Sequence, residues 1–283
     1  MAAYPESLVD VVIDHPAREC YMACTPVDKS QPVGTGNALA TARKRRDRIQ
    51  LSVAYGLILL ALWTPLPWQN LVSLAALAWV ILATGDSFDG WSAMGLTGTG
   101  FRCSLWVAGA ALLLAEAAVL VAARLQTLHV SAFPNLFVQR YWGYVIWAFL
   151  QEFLLLDFFL LRLLRLLPGR TAAVIAATGL FTIAHLPNPI LTVLTLLWGL
   201  ASCRLFLHYR NLYTLVMAHA ILGIGIAVTV PGPVVHNMRV GLGYLTYRPN
   251  QQLHRSQKDH TVSTQAWVMA EAPTRRSWRH ARP

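Results

Sequence analysis

Residues 141–161 read YWGYVIWAFLQEFLLLDFFLL. The run is near the length that a bilayer core asks of a helix, roughly 20 residues. Two carboxylates, Glu152 and Asp157, interrupt an otherwise apolar stretch. Arg162, Arg165, Pro168 and Gly169 close it. The reading that fits is a membrane-crossing helix, and the rest of the chain repeats the pattern.

Further apolar blocks lie at about 50–64, 68–84, 103–123, 171–186, 190–207 and 211–230. Prolines punctuate them, because proline cannot continue a helix. Thr64-Pro65-Leu66-Pro67 separates the first pair, Leu186-Pro187-Asn188-Pro189 a later pair, and Pro231-Gly232-Pro233 stops the last block. The expectation is an all-α polytopic transmembrane bundle of seven to eight spans. Seven spans would put the basic tail outside, so either His236–Tyr247 makes an eighth or re-entrant element or one of the seven blocks is not a span. Residues 1–48 read as a disordered basic arm, 49–247 as the membrane domain and 248–283 as a disordered basic tail.

Composition agrees. Of 283 residues, 55% are hydrophobic and 13% charged, about half the charged share of a soluble domain. The formal net charge of +10 lies mostly at the two ends, in Arg43, Lys44, Arg45, Arg46 and Arg48, then Arg275, Arg276, Arg279 and Arg282. Cations flanking apolar blocks point to anionic lipid and membrane orientation rather than nucleic acid. With the amino end in the cytoplasm, the inner loops hold most of the arginines. Cys20, Cys24, Cys103 and Cys203 make no framework; Cys20 and Cys24 read as unpaired thiols rather than a metal site, and Cys103 and Cys203 lie at span ends. No apolar leader precedes the first block.

Charge inside hydrocarbon costs a few kcal/mol per residue even on insertion scales, roughly 3 at the helix centre. Ionisable residues within spans are therefore the informative ones. Glu152 sits mid-span beside Gln151 and must face a partner or a wet cavity. Asp157 reads as structural, paired with Arg162 or Arg165. Glu116 also reads as structural. His185 follows Phe181 by four residues on one face and abuts the Pro187–Pro189 break. Irregular backbone at membrane depth belongs inside protein or beside a water-filled cavity. His219 lies among small residues that permit close helix approach. One carboxylate and two histidines on separate spans suggest a shared centre that could deprotonate a water and stabilise an oxyanion. The same three could instead hold zinc, although they lack HExxH spacing.

These segments resemble the CAAX-protease and bacteriocin-processing family of intramembrane proteases, over roughly residues 95–230. That family shows E-E-x-x-x-R, F-x-x-x-H and H-x-x-x-N on successive spans. Phe181 and His185 keep the second motif. His219 keeps half of the third, with Gly223 where the family has Asn. The first is the most altered, since Gln151 replaces the leading Glu and Leu156 the Arg, while Glu152 remains. The resemblance implies a glutamic-type endopeptidase with no required metal, in a bacterial inner membrane, acting on a membrane-associated protein or peptide. Glu152 would be the general base, oriented by His185, with His219 holding the oxyanion. Gln151 or Asn188 would donate the hydrogen bond lost at Gly223. Two alternatives stand beside it. One is a catalytically inactive homologue that binds a membrane partner. The other is a small proton-coupled transporter, against which no internal repeat is evident.

Overall fold

The computed structural model describes residues 33–128 and 134–248. The leading arm up to residue 32, the tail from 249, and with them Cys20, Cys24 and the terminal arginines, lie outside the described residues. Helix α1 spans Val33–Trp63, α2 Trp68–Asp86 and α3 Phe101–Arg124. Helix α4 (Pro134–Glu152) runs on through a π-helical segment (Phe153–Leu160) into α5 (Leu161–Leu166). Then follow α6 (Arg170–Ile183), α7 (Pro189–Tyr209), α8 (Leu212–Thr229), the short α9 (Gly232–Val235), a 3-10 turn (His236–Met238) and α10 (Gly241–Leu245). The all-α polytopic reading holds.

Among the described residues, five helical stretches are long and apolar enough to cross a membrane: Trp68–Asp86, Phe101–Arg124, Tyr141–Leu166, Pro189–Tyr209 and Leu212–Thr229. Helix α6 has only 14 residues. Helix α1 begins well before the expected first span, so residues 33–48 are helical rather than part of a disordered arm. Between His236 and Tyr247 there is no eighth crossing helix, only short turns folded back against the bundle.

The core is built around α4, its π-helical continuation and α8. Leu155, Leu156, Phe158 and Leu160 are almost wholly buried, as are Phe206, Leu212 and Ala218. Leu156, where the resemblance calls for an arginine, is thus a core side chain. Helix α8 packs chiefly against α3 and α4, α1 against α2, and α6 against α7. Leucines and tryptophans of α2 and α3 face outward, Leu82 and Leu113 among them, as a lipid-bathed surface permits. Glu116 lies on an exposed position of α3.

One end of the bundle is tied by charge. Arg165 clamps buried Asp47 with Nε and Nη2, at 2.7 and 3.0 Å. It also reaches Asp89, which Arg43 holds as well. Arg162 is buried and donates to Gln50 Oε1, Ser87 Oγ and the carbonyls of Ala83 and Phe158. Forked guanidinium contacts of this kind are strong and directional. They gather α1, the loop after α2 and α5 at one end. Asp157 takes no part. Both its oxygens are buried with no hydrogen-bond partner among the described residues, so the expected pairing with Arg162 or Arg165 fails. Those arginines are engaged by Gln50, Asp47 and Asp89. Cys203 is a buried free thiol. Cys103 is disulfide-bonded, although the four cysteines were expected to make no framework.

Candidate active site

Toward the other end of the bundle, the break after α6 is a fully bonded turn. The Leu186 and Asn188 amides donate to the Ile183 and His185 carbonyls. Asn188 caps α7, its Oδ1 accepting the Leu191 amide at 3.2 Å, with Pro189 in the first turn. Asn and Pro are favoured at those two positions. Asn188 Nδ2 donates to the carbonyls of Val235 and Arg239, and the Gly241 amide donates to Leu186. The folded-back segment after α8 is thereby fastened over the α6–α7 turn. Asn188 is buried and fully used. It is a structural knot, not a free donor for an oxyanion.

Helix α8 is placed by a matching cap. Asn211 Oδ1 accepts the Thr214 amide, and its Nδ2 donates to the carbonyls of Thr97 and Thr99. The loop before α3 approaches closely there. Gly100, at φ +73°, sets its Cα where any Cβ would collide with the Tyr209 carbonyl. This fixes the rotation of α8 and so the direction of His219 two turns on.

Glu152 is completely buried at the junction of α4 and the π-helical segment. Its Oε1 accepts from Trp198 Nε1 at 2.6 Å and from His219 Nδ1 at 2.6 Å. With an ionised Glu152 accepting from both, Nδ1 is the imidazole's donor toward it. His185 Nδ1 lies 2.7 Å from the Phe181 carbonyl, to which it must donate. Its Nε2 then accepts from Gln151 Nε2 at 3.3 Å. The Phe181 ring rests against the same imidazole, centroids 4.7 Å apart.

Gln151, His185, His219 and Gly223 line one cavity of about 140 Å³, with Trp198 and Tyr144 in its wall. Glu152 is not among the residues lining it. The expected cluster is therefore brought together, but its pairing differs from the expectation. Glu152 bonds His219, not His185, and Gln151 bonds His185. The physical reason is the step of one residue along α4, about 100°, which sends Gln151 into the cavity and Glu152 behind it. Two participants carried no sequence signal strong enough to select them. Trp198 is one of ten tryptophans, and Tyr144 precedes the motif by seven residues on the same helix.

Residues 133–224 match the family model described as type II CAAX prenyl endopeptidase Rce1-like. This segment is similar to that family. It begins with α4 and includes the cavity-lining residues named above, with His185 in the turn after α6. It is narrower than the 95–230 drawn from motifs, leaving α1, α2 and α3 outside the match. No curated protein and no solved structure matches the chain. The similarity is to an endopeptidase family, and the five apolar helices make this chain an integral membrane protein. Among the described residues no group of three or more His, Cys, Asp or Glu side chains is placed to hold a metal ion.

Two further cavities adjoin the first. One of about 100 Å³ shares Trp147, Gln151, His185 and Val240 with it. Another of about 200 Å³, between α1, α2 and α4, shares Ile58, Leu62, Trp147 and Leu154 with that one. The series leads from the two histidines toward the α1–α2 side of the bundle through almost wholly apolar walls.

Proposed function

We propose that this chain is an intramembrane endopeptidase in which His219, backed by Glu152, is the general base. The observation that carries the reading is the 2.6 Å bond from His219 Nδ1 to a buried carboxylate, at the wall of a cavity lined mostly by residues of the Rce1-like segment. A buried carboxylate on one ring nitrogen holds the tautomer and stabilises the imidazolium that forms when the other nitrogen takes a proton.

In the proposed step a water in the cavity gives a proton to His219 Nε2 while its oxygen bonds to the scissile carbonyl carbon. The carbonyl oxygen becomes an oxyanion. Gln151 has two amide protons. One is directed to His185, and the other is left for the oxyanion. His219 then returns the proton to the leaving amine as the C–N bond breaks. This assigns Glu152 an orienting and charge-stabilising role instead of direct contact with water. Gln151 at the place of a carboxylate becomes a donor. His185, with its own Nδ1 proton held by Phe181, orients Gln151.

The apolar cavities on the α1–α2 side would receive a substrate segment from the bilayer. The substrate class is a membrane-associated protein or peptide, and the compartment proposed is a bacterial inner membrane. No cofactor is needed for the step as written.

The test is hydrolysis by the full chain in proteoliposomes. Quenched fluorescent peptides carrying an apolar, membrane-inserting segment serve as probes, with wild type compared with His219→Gln. Cleavage by wild type and its loss in the variant supports the reading. Equal cleavage by both would remove His219 from the chemistry.

A further inference from the structure

Gly223 is buried on α8, four residues after His219 and so on the same face. A Cβ added there would fall on the hydroxyl of Tyr144 and on the adjoining ring carbons. Two other tight glycines meet backbone: Gly100 meets the Tyr209 carbonyl and Gly241 the Leu62 carbonyl. Gly223 instead meets the polar tip of a side chain from another helix. Its lack of a side chain admits a phenol.

Tyr144 reaches this place from α4, seven residues before Gln151 and on the same helical face. Its ring stands edge-on to His219, with centroids 6.5 Å apart and planes at 68°. Trp198 meets the same imidazole at 5.9 Å. Tyr144, Gly223, His219 and Gln151 line one cavity. The hydroxyl thus occupies the volume that a side chain at 223 would fill, one helical turn from the proposed base. A phenol is an O–H donor that stays protonated in the neutral range.

We infer that Tyr144 is a catalytic donor, its hydroxyl standing in for a side chain at position 223 and hydrogen-bonding the oxyanion beside His219. The inference rests on the endopeptidase reading above. Gln151 and Tyr144, both on α4, would then supply an N–H and an O–H from one rigid element. Donors fixed before the reaction need no reorganisation when charge develops.

The experiment uses the full chain in proteoliposomes with the same quenched peptides, and thermal unfolding in detergent. Tyr144→Phe removes only the hydroxyl. It is expected to keep the unfolding temperature and KM while lowering kcat by about 10²–10³-fold, the usual loss for one oxyanion donor. Gly223→Asn alone is expected to unfold at a lower temperature, because its side chain meets the phenol. Tyr144→Ala with Gly223→Asn should recover that temperature and, by supplying an amide donor from 223, regain at least about tenfold of the rate lost in Tyr144→Ala. A Tyr144→Phe variant within about threefold of wild-type kcat, while His219→Gln is inactive, would overturn the donor role and leave the endopeptidase reading intact. No cleavage by wild type would overturn both. The unfolding temperatures of the swap would still report whether the hydroxyl and residue 223 share one space.

Discussion

Replacing Glu152 by Gln changes charge with almost no change of shape, and so isolates what the buried carboxylate does. Its Oε1 accepts two hydrogen bonds of 2.6 Å, from Trp198 and His219. Bonds to an ionised group contribute about 1.5–3 kcal/mol each and neutral ones about 0.5–1.5. The folded state should therefore lose about 1–3 kcal/mol, because the amide oxygen can still accept from both donors while the charge assistance is gone. The effect on turnover should be larger. Exchanging the buried carboxylate behind a catalytic histidine for its amide lowers kcat by about 10⁴ in the serine-protease triad. Each factor of ten is about 1.4 kcal/mol, so a loss of 10³–10⁴ here corresponds to about 4–5.5 kcal/mol. The expected outcome is a folded protein with KM within about threefold of wild type and kcat lowered by about 10³–10⁴. Peptide hydrolysis in proteoliposomes gives the rates, and nitrogen NMR of labelled histidine gives the His219 tautomer, with the proton on Nδ1 in wild type. Wild-type kcat in the variant would refute the dyad.

Gln151→Leu keeps the volume but removes the amide facing His185. It should lower kcat by about 10²–10³ if the amide serves the oxyanion, and unchanged peptide hydrolysis would remove it from the reaction. Arg162→Met strips a buried guanidinium from Gln50, Ser87 and two carbonyls. With buried acceptors left unpaired at about 1–3 kcal/mol each, thermal unfolding in detergent should fall markedly, and an unchanged midpoint would show the network to be idle. Asn188→Ala should cost about 1 kcal/mol for the lost cap and free the segment after α8. Faster hydrogen exchange around residues 235–241 is the expected sign, and unaltered exchange would show that other contacts hold that segment.

Much of the fold was legible in the sequence, because what determines a membrane helix is local. An apolar run of bilayer length, bounded by proline or arginine, needs no partner to be recognised. The lengths of 68–84, 103–123, 141–161, 190–207 and 211–230 each found their helix within a few residues. The same local reading missed the helical start of α1. A run of arginines with scattered small residues carries no apolar signal, although Asp47 and Arg43 there find partners in distant parts of the chain.

The candidate site divides along the same line. Glu152, His185 and His219 were legible because ionisable groups within hydrocarbon are costly unless something answers them. Gln151 was legible as their neighbour. Which of them meet was not. Two adjacent residues on α4 differ by about 100° in direction, and only the packing of α4 against α6, α7 and α8 decided that Gln151 turns to His185 and Glu152 to His219. Asn188 looked like a spare donor until the segment after α8 folded onto it. Tyr144 and Gly223 show the limit most clearly. A glycine and a tyrosine some eighty residues apart say nothing of each other in sequence, since the space one leaves and the other fills exists only once two helices have packed.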